Sequence, residues 1–257
     1  MDKSSIAGVL LAIAGIVAGL LIEGGNLGQI LQPTAALIVF GGTMGAVLLQ
    51  FPLSTVVAAF RSLGHVFAAP QKQNDQLIRQ LVSFANKARR NGVVSLDSDL
   101  QSIRDPFLRQ SLMLAVDGTE PSELRRIMRV SLDCTTESQE HLPAVFESAG
   151  GFSPTIGILG AVLGLIQVMQ HLDNIQEVGR GIAVAFVATI YGVGIANLFF
   201  LPFAGKMRIR IYEELQCREM MLEGVASILE GMNPRMLEIK LAGFIDDKKQ
   251  GKRERAA

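Results

Sequence analysis

Residues 153–169 carry no charge, yet the run holds Pro154, Gly157, Gly160, Ala161 and Gly164. The length is that of a helix, but glycine and proline are the weakest helix formers in water. Hydrocarbon changes the balance, because a single spanning segment there must satisfy its backbone polar groups internally, and a helix does so. Three further windows are equally bare: 5–22, 34–51 and 181–203. The four windows hold 17 to 23 residues each, against the ~17–25 that cross ~30 Å of hydrocarbon. The run at 153–169 is the shortest, reaching ~25 Å at ~1.5 Å per residue, and the uncharged residues 148–152 can lengthen it.

This pattern predicts an all-α integral membrane protein with four transmembrane helices. Residues 1–51 supply spans one and two, 52–152 a large helical cytoplasmic section, 153–203 spans three and four, and 204–257 a helical tail with a disordered basic end. Charged residues make up 19% of the chain, below the roughly 25% usual in soluble domains. The 24 Lys and Arg balance 24 Asp and Glu, so net charge points away from nucleic acid. Lys3 and the first apolar window raise the question of a signal peptide, but no A-x-A-like cleavage site follows. Cys134 and Cys217 have no metal-ligand spacing and read as free thiols in a reducing compartment.

The basic residues set the orientation. Residues 52–152 hold 11 Lys and Arg and residues 204–257 another 11, while 23–33 hold none and 170–180 only Arg180. Lys- and Arg-rich loops stay cytoplasmic, so both termini and the central section are expected inside. Within that section Asp105-Pro106 opens a helix that Gly118 ends, and Thr119 with Pro121 caps the next. After Pro202 a helix is expected from Lys206 to about Glu230, with a break at Gly231 and a restart at Asn233-Pro234.

Small residues recur at helical spacing. Gly157, Gly160, Ala161 and Gly164 share one face of the third span; Gly181, Ala185, Thr189, Gly192 and Ala196 share one of the fourth; the first has Gly8, Ala12, Gly15 and Gly19, and the second Gly41 and Gly45. Such faces let helix backbones approach closely in lipid. They either pack within the subunit or form a smooth wall against another chain, and four separate stripes favour assembly. No Asp, Glu, Lys, Arg or His lies inside the four windows, whereas a proton relay keeps ionisable groups at membrane depth. An ion carrier would have to come from a partner.

The stretches "FESAGGFSPTIGILGAVLGLIQVM" and "GIAVAFVATIYGVGIANLFFLPFAGKM" resemble the third and fourth spans of the MotA/PomA family of flagellar stator subunits, nearest its MotC-like and PomA-like members. "GGNLGQILQPTAALIVFGGTMGAVLLQFP" resembles that family's first loop and second span. The resemblance implies a bacterial inner-membrane stator subunit, a pentamer around two copies of a MotB-like single-span partner carrying the ion-binding aspartate. Ion flow would then be converted into torque on the rotor switch protein FliG. It also implies roles for single residues: Pro154 and Pro202 as mechanistic prolines, and Thr189, with Thr155 and Ala161, along the ion path. Ala161 stands where sodium-driven relatives carry a threonine, which leans toward protons. "KARRNGVVSLD" resembles the rotor-facing charged stretch, placing Arg89, Arg90 and Asp97 there. Tyr191 reads as packing or an interfacial anchor.

An ExbB/TolQ-like energiser is the alternative, and the second span with Pro33 before it argues against that plan. Inverted repeats of a carrier, the buried Ser/His or paired Asp of an intramembrane protease, a P-loop and metal spacings are all missing from the sequence. The chain reads as a non-enzyme with no cofactor and no metal, in contact with membrane lipids.

Overall fold

The computed structural model describes residues 3–66 and 74–244. The expected disordered end from Asp246 onward lies outside the described residues. The described chain is helical, with no strand among its residues. In order come α1 (Lys3–Ile22), α2 (Pro33–Gln50), α3 (Leu53–Val66), α4 (Asn74–Asn91), α5 (Pro106–Val116), α6 (Pro121–Gln170), α7 (Ile175–Ile195), α8 (Leu201–Leu229) and α9 (Pro234–Ala242). Short 3₁₀ segments occupy Leu27–Gln29 and Val93–Ser102, and a π-turn at Ala196–Phe200 joins α7 to α8.

Helix starts follow local chemistry. Pro33, Pro106 and Pro234 open their helices, where a missing N–H costs nothing. The Asp105 carboxylate accepts from the amides of Phe107 at 2.9 Å and Leu108 at 3.0 Å, satisfying two of the donors that a helix start leaves open. Asn233 does the same for the Arg235 amide at 3.0 Å. Gly118 and Gly231 take φ values of +83° and +73°, which end α5 and α8 where a side chain would be strained. One start differs from expectation: α6 begins at Pro121, so Glu120 rather than Thr119 holds the capping position, its carbonyl accepting from the Leu124 amide.

Two compact units emerge: residues 1–70 with 139–210, and residues 71–138 with 211–257. In the first, α3 buries Val56 and Ala59 against Val145, Phe146 and Ala149 of α6 and Ala204 and Met207 of α8. The Phe60 and Phe146 rings meet edge to face with centroids 5.3 Å apart, a favourable aromatic geometry. A second small core gathers Ala35 and Val39 of α2 with Val184, Val187 and Ala188 of α7. The second unit has an apolar centre that includes Leu81 of α4, Leu96 of the 3₁₀ segment, Leu112 of α5, Met128 of α6, Met220 of α8 and Leu237 of α9.

The third span is not a separate helix. α6 runs unbroken for 50 residues with Pro143 and Pro154 inside it, so Pro154 interrupts a helix instead of opening one. Its missing N–H leaves the Gly150 carbonyl without the usual partner four residues on.

Candidate functional site

The small residues of α6 and α7 meet one another inside the chain. A Cβ on Gly157 would lie 2.8 Å from the Ala188 carbonyl oxygen, and one on Gly164 2.7 Å from the Gly181 oxygen. From the other side, a Cβ on Gly192 would lie 2.5 Å from the Ser153 oxygen, and one on Gly181 2.6 Å from Val168 Cγ2. Gly160 abuts the Ala188 methyl and Ile38 of α2. Backbone contact this close requires glycine, and most of the two stripes is consumed in making it. The stripe of α1 is different: nothing lies within 4 Å of a Cβ built on Gly8, Gly15 or Gly19.

Beside this seam lie two of the three sequence-selected ion-path positions. Gly160 and Ala188 touch, and Ala161 and Thr189, both half-buried, are the residues that follow them. The Thr189 hydroxyl donates to the Ala185 carbonyl at 3.2 Å. This spends its proton within the helix and leaves oxygen lone pairs outward. Thr155 is exposed, with its hydroxyl donating to the Phe152 carbonyl at 2.7 Å. Helical spacing puts Thr155 on the far side of α6 from the glycines, so the structure groups Ala161 with Thr189 and not with Thr155.

Pro202 follows the π-turn after one residue, Leu201. There the Leu201 amide donates to the Ala196 carbonyl, five residues back, instead of the usual four. π-turns are recurrent at functional sites, and this one shifts the backbone register just ahead of a residue that cannot donate. The Asn197 amide group donates to the Val193 carbonyl at 2.9 Å. Across from it, a Cβ on Gly150 would lie 2.7 Å from Leu201 Cδ2. The residue whose carbonyl Pro154 frees therefore touches the residue before Pro202.

Two features escaped the sequence reading. Tyr191 is more than an anchor: its hydroxyl engages backbone groups of the linker before α2. Thr43, 3% exposed, has a hydroxyl without a hydrogen-bond partner and lines a cavity of about 60 Å³ with Phe40, Phe146, Ala149 and Phe200. That cavity is almost wholly apolar, so a water there would lack the two to four partners it needs.

In the second unit, Arg89 and Arg90 occupy the last turn of α4, where cations favour the helix terminus. Asp97 lies in the 3₁₀ segment that follows, and all three side chains are exposed. Lys87 and Asp99 form an ion pair at 2.6 Å between these two elements. Deeper in that unit, Arg125 of α6 bridges Glu223 and Glu230 of α8 at 3.2 and 2.7 Å, and Lys240 of α9 bonds Glu223 and Ser227. Burial pushes the Glu223 carboxyl up, but hydrogen bonds from Arg125 and Lys240 outweigh it and hold the group below its ordinary range. Among the described residues no cluster of His, Cys, Asp or Glu could hold a metal ion, and both cysteines carry free thiols.

Comparison with known proteins follows the same lines. A family model described as the MotA/TolQ/ExbB proton channel family matches residues 99–220. A second, described as Motility protein A N-terminal, matches residues 6–92. Motility protein A of Bacillus subtilis (strain 168) is 35% identical over 253 residues, covering 96% of this chain and 92% of that protein. The solved structure of C. jejuni MotAB matches with a TM-score of 0.91 at 32% identity, over 96% of this chain and 97% of that one. The flagellar MotAB stator complex from Bacillus subtilis matches at 0.88 and 34% identity, over 98% and 99%. Similarity of this extent in both sequence and fold makes the chain a member of the MotA/TolQ/ExbB proton channel family, on its motility protein A branch.

Proposed function

We propose that this chain is a stator subunit of the bacterial flagellar motor, forming an ion channel with a MotB-like partner and converting ion flow into torque. One observation carries the reading: a chain that matches MotAB structures over nearly its whole length has no Asp, Glu, Lys, Arg or His in its four apolar windows. The titrating aspartate then belongs to the partner's single span, and this chain is its uncharged surround. It acts by conduction and movement, not as an enzyme.

Three helical stretches among the described residues are long and apolar enough to cross a membrane: α2, α6 and the run from α7 into α8. Ile6–Ile22 of α1 is a shorter apolar helix, and in this reading it supplies the fourth crossing. The basic segments keep both termini and the second unit on the cytoplasmic side of the inner membrane. Five copies surround two partner chains, and Arg89, Arg90 and Asp97 meet FliG on the rotor. Ala161 offers no hydroxyl beside Thr189, which favours protons over sodium, since fewer oxygens are present to replace a sodium ion's water. The match to a motility-specific N-terminal model over residues 6–92 favours this reading over an ExbB/TolQ-like energiser.

A strain lacking its stator genes, supplied with this chain and its MotB-like partner, should swim. Speed should follow the pH gradient and ignore external sodium. Swimming that tracks sodium overturns the ion assignment, and failure to swim with both proteins in the membrane overturns the function.

A further inference from the structure

On α6, Glu147 stands seven residues before Pro154 and fourteen before Ala161. Seven residues make about two turns, so the three share one stripe beside the glycine seam, and all three are half-buried. Thr189 and Arg208 are matched in the same way across the seam. Nineteen positions separate them, and the π-turn absorbs one, which leaves about five whole turns. Without that extra residue Arg208 would sit about 100° further round its helix. The two stripes converge at their ends, where the Arg208 guanidinium donates to both Glu147 carboxylate oxygens, at 2.7 and 2.8 Å. This two-pronged grip fixes where the carboxylate points.

Glu147 is also the first acid on α6 beyond the third apolar window, and α2 and α3 carry none. α8 carries none before Glu213. The other charged groups at this end of α3 and α8 are basic: Arg61, Lys206 and Arg210. Glu140 follows two turns further along the same stripe of α6 and is exposed. With its side chains 34% and 60% exposed, the Glu147–Arg208 pair adds little to stability. Its placement below the ion-path positions is what calls for a role.

We propose that Glu147 is the inner proton acceptor of the ion path. The level of Ala161 and Thr189 lies ~21 Å away along α6, so the proton arrives through water, as hydronium. One Glu147 oxygen leaves the Arg208 fork and takes that proton, forming an O–H bond and releasing a water molecule. The bond then breaks to a cytoplasmic water, which restores the carboxylate and the fork. Arg208 is a positioning residue that aims the acceptor. The proposal rests on the stator reading, in which Ala161 and Thr189 line the path.

Proteoliposomes holding the full chain with its MotB-like partner and an internal pH-sensitive dye test it, under an imposed pH gradient. Glu147→Gln keeps a side-chain oxygen for Arg208 and should lower proton flux several-fold, whereas Glu147→Asp should keep most of it. Imidazole buffer on the cytoplasmic side should restore flux to the Gln variant by carrying the proton instead. Arg208→Gln breaks the ion pair, leaves the carboxylate, and should lose little. Full flux in Glu147→Gln, no rescue by imidazole, or an equal loss in Arg208→Gln overturns the proposal, the last by showing a mere clamp. Those results leave the stator reading intact, because the parent still conducts. An intact parent complex that passes no protons discards both.

Discussion

The Tyr191 hydroxyl donates to the Ile30 carbonyl at 2.6 Å and accepts from the Gln32 amide at 3.4 Å. One side chain of α7 thereby closes backbone groups of the linker that leads into α2, and its ring lies 6.2 Å from that of Phe40. Tyr191→Phe keeps the ring and removes both bonds. The expected loss is about 1 kcal/mol, read as a lower unfolding temperature in detergent, with faster hydrogen exchange at Gln32. Unchanged exchange there would show that the linker is held by other means.

The seam between α6 and α7 predicts a sharp contrast between glycines. A methyl at Gly164 would press on the Gly181 oxygen and the Ala185 nitrogen, both backbone, whereas a methyl at Gly45 of α2 has nothing within 4 Å. Gly164→Ala should cost about 1–3 kcal/mol through overpacking. Gly45→Ala should be neutral or stabilise by up to about 1 kcal/mol through reduced backbone freedom. Thermal unfolding of the two variants side by side decides it, and equal behaviour would refute the seam.

Replacing Pro154 or Pro202 with Leu should separate stability from motion. Leu restores an amide donor and a good helix former, so the folded chain should be at least as stable and still insert. Rotation should stop, since each proline permits a bend that a regular helix resists. Tethered-cell rotation and membrane fractionation measure the two properties, and normal swimming in both variants discards the role of the prolines.

Glu223 predicts a pH dependence with a definite sign. Its folded-state pKa is lowered by Arg125 and Lys240, so its contribution is present above the ordinary carboxylate range and is lost as pH falls through the folded value. Glu223→Gln should destabilise the chain by about 1 kcal/mol at neutral pH, a modest figure because solvent screens the network. The gap from the parent should close in acid. A gap that widens on acidification would contradict the lowered pKa.

Much of this architecture was legible because its causes are local. Asp105-Pro106, Gly118, Gly231 and Asn233-Pro234 mark helix ends through chemistry contained in a few residues, and the structure uses each as expected. Whether Pro154 opens or interrupts a helix is not local. It depends on residues 145–149 staying helical, which they do by packing on Val56, Ala59, Ala204 and Met207. Helical spacing placed Gly157, Gly164, Gly181 and Gly192 on close-contact faces, but spacing names a face and not its occupant. Here each face occupies the other. The hydrogen bonds of Tyr191 were hidden for the same reason, since its partners are backbone atoms about 160 positions away. The π-turn left no mark beyond Pro202 itself.

The contact between Gly150 and Leu201 has a mechanical consequence. Each proline weakens its helix at one spot, and through this pair the two spots touch: a methyl added at Gly150 would press on the Leu201 side chain. A bend at either proline would therefore be felt by the other helix across this one side-chain contact.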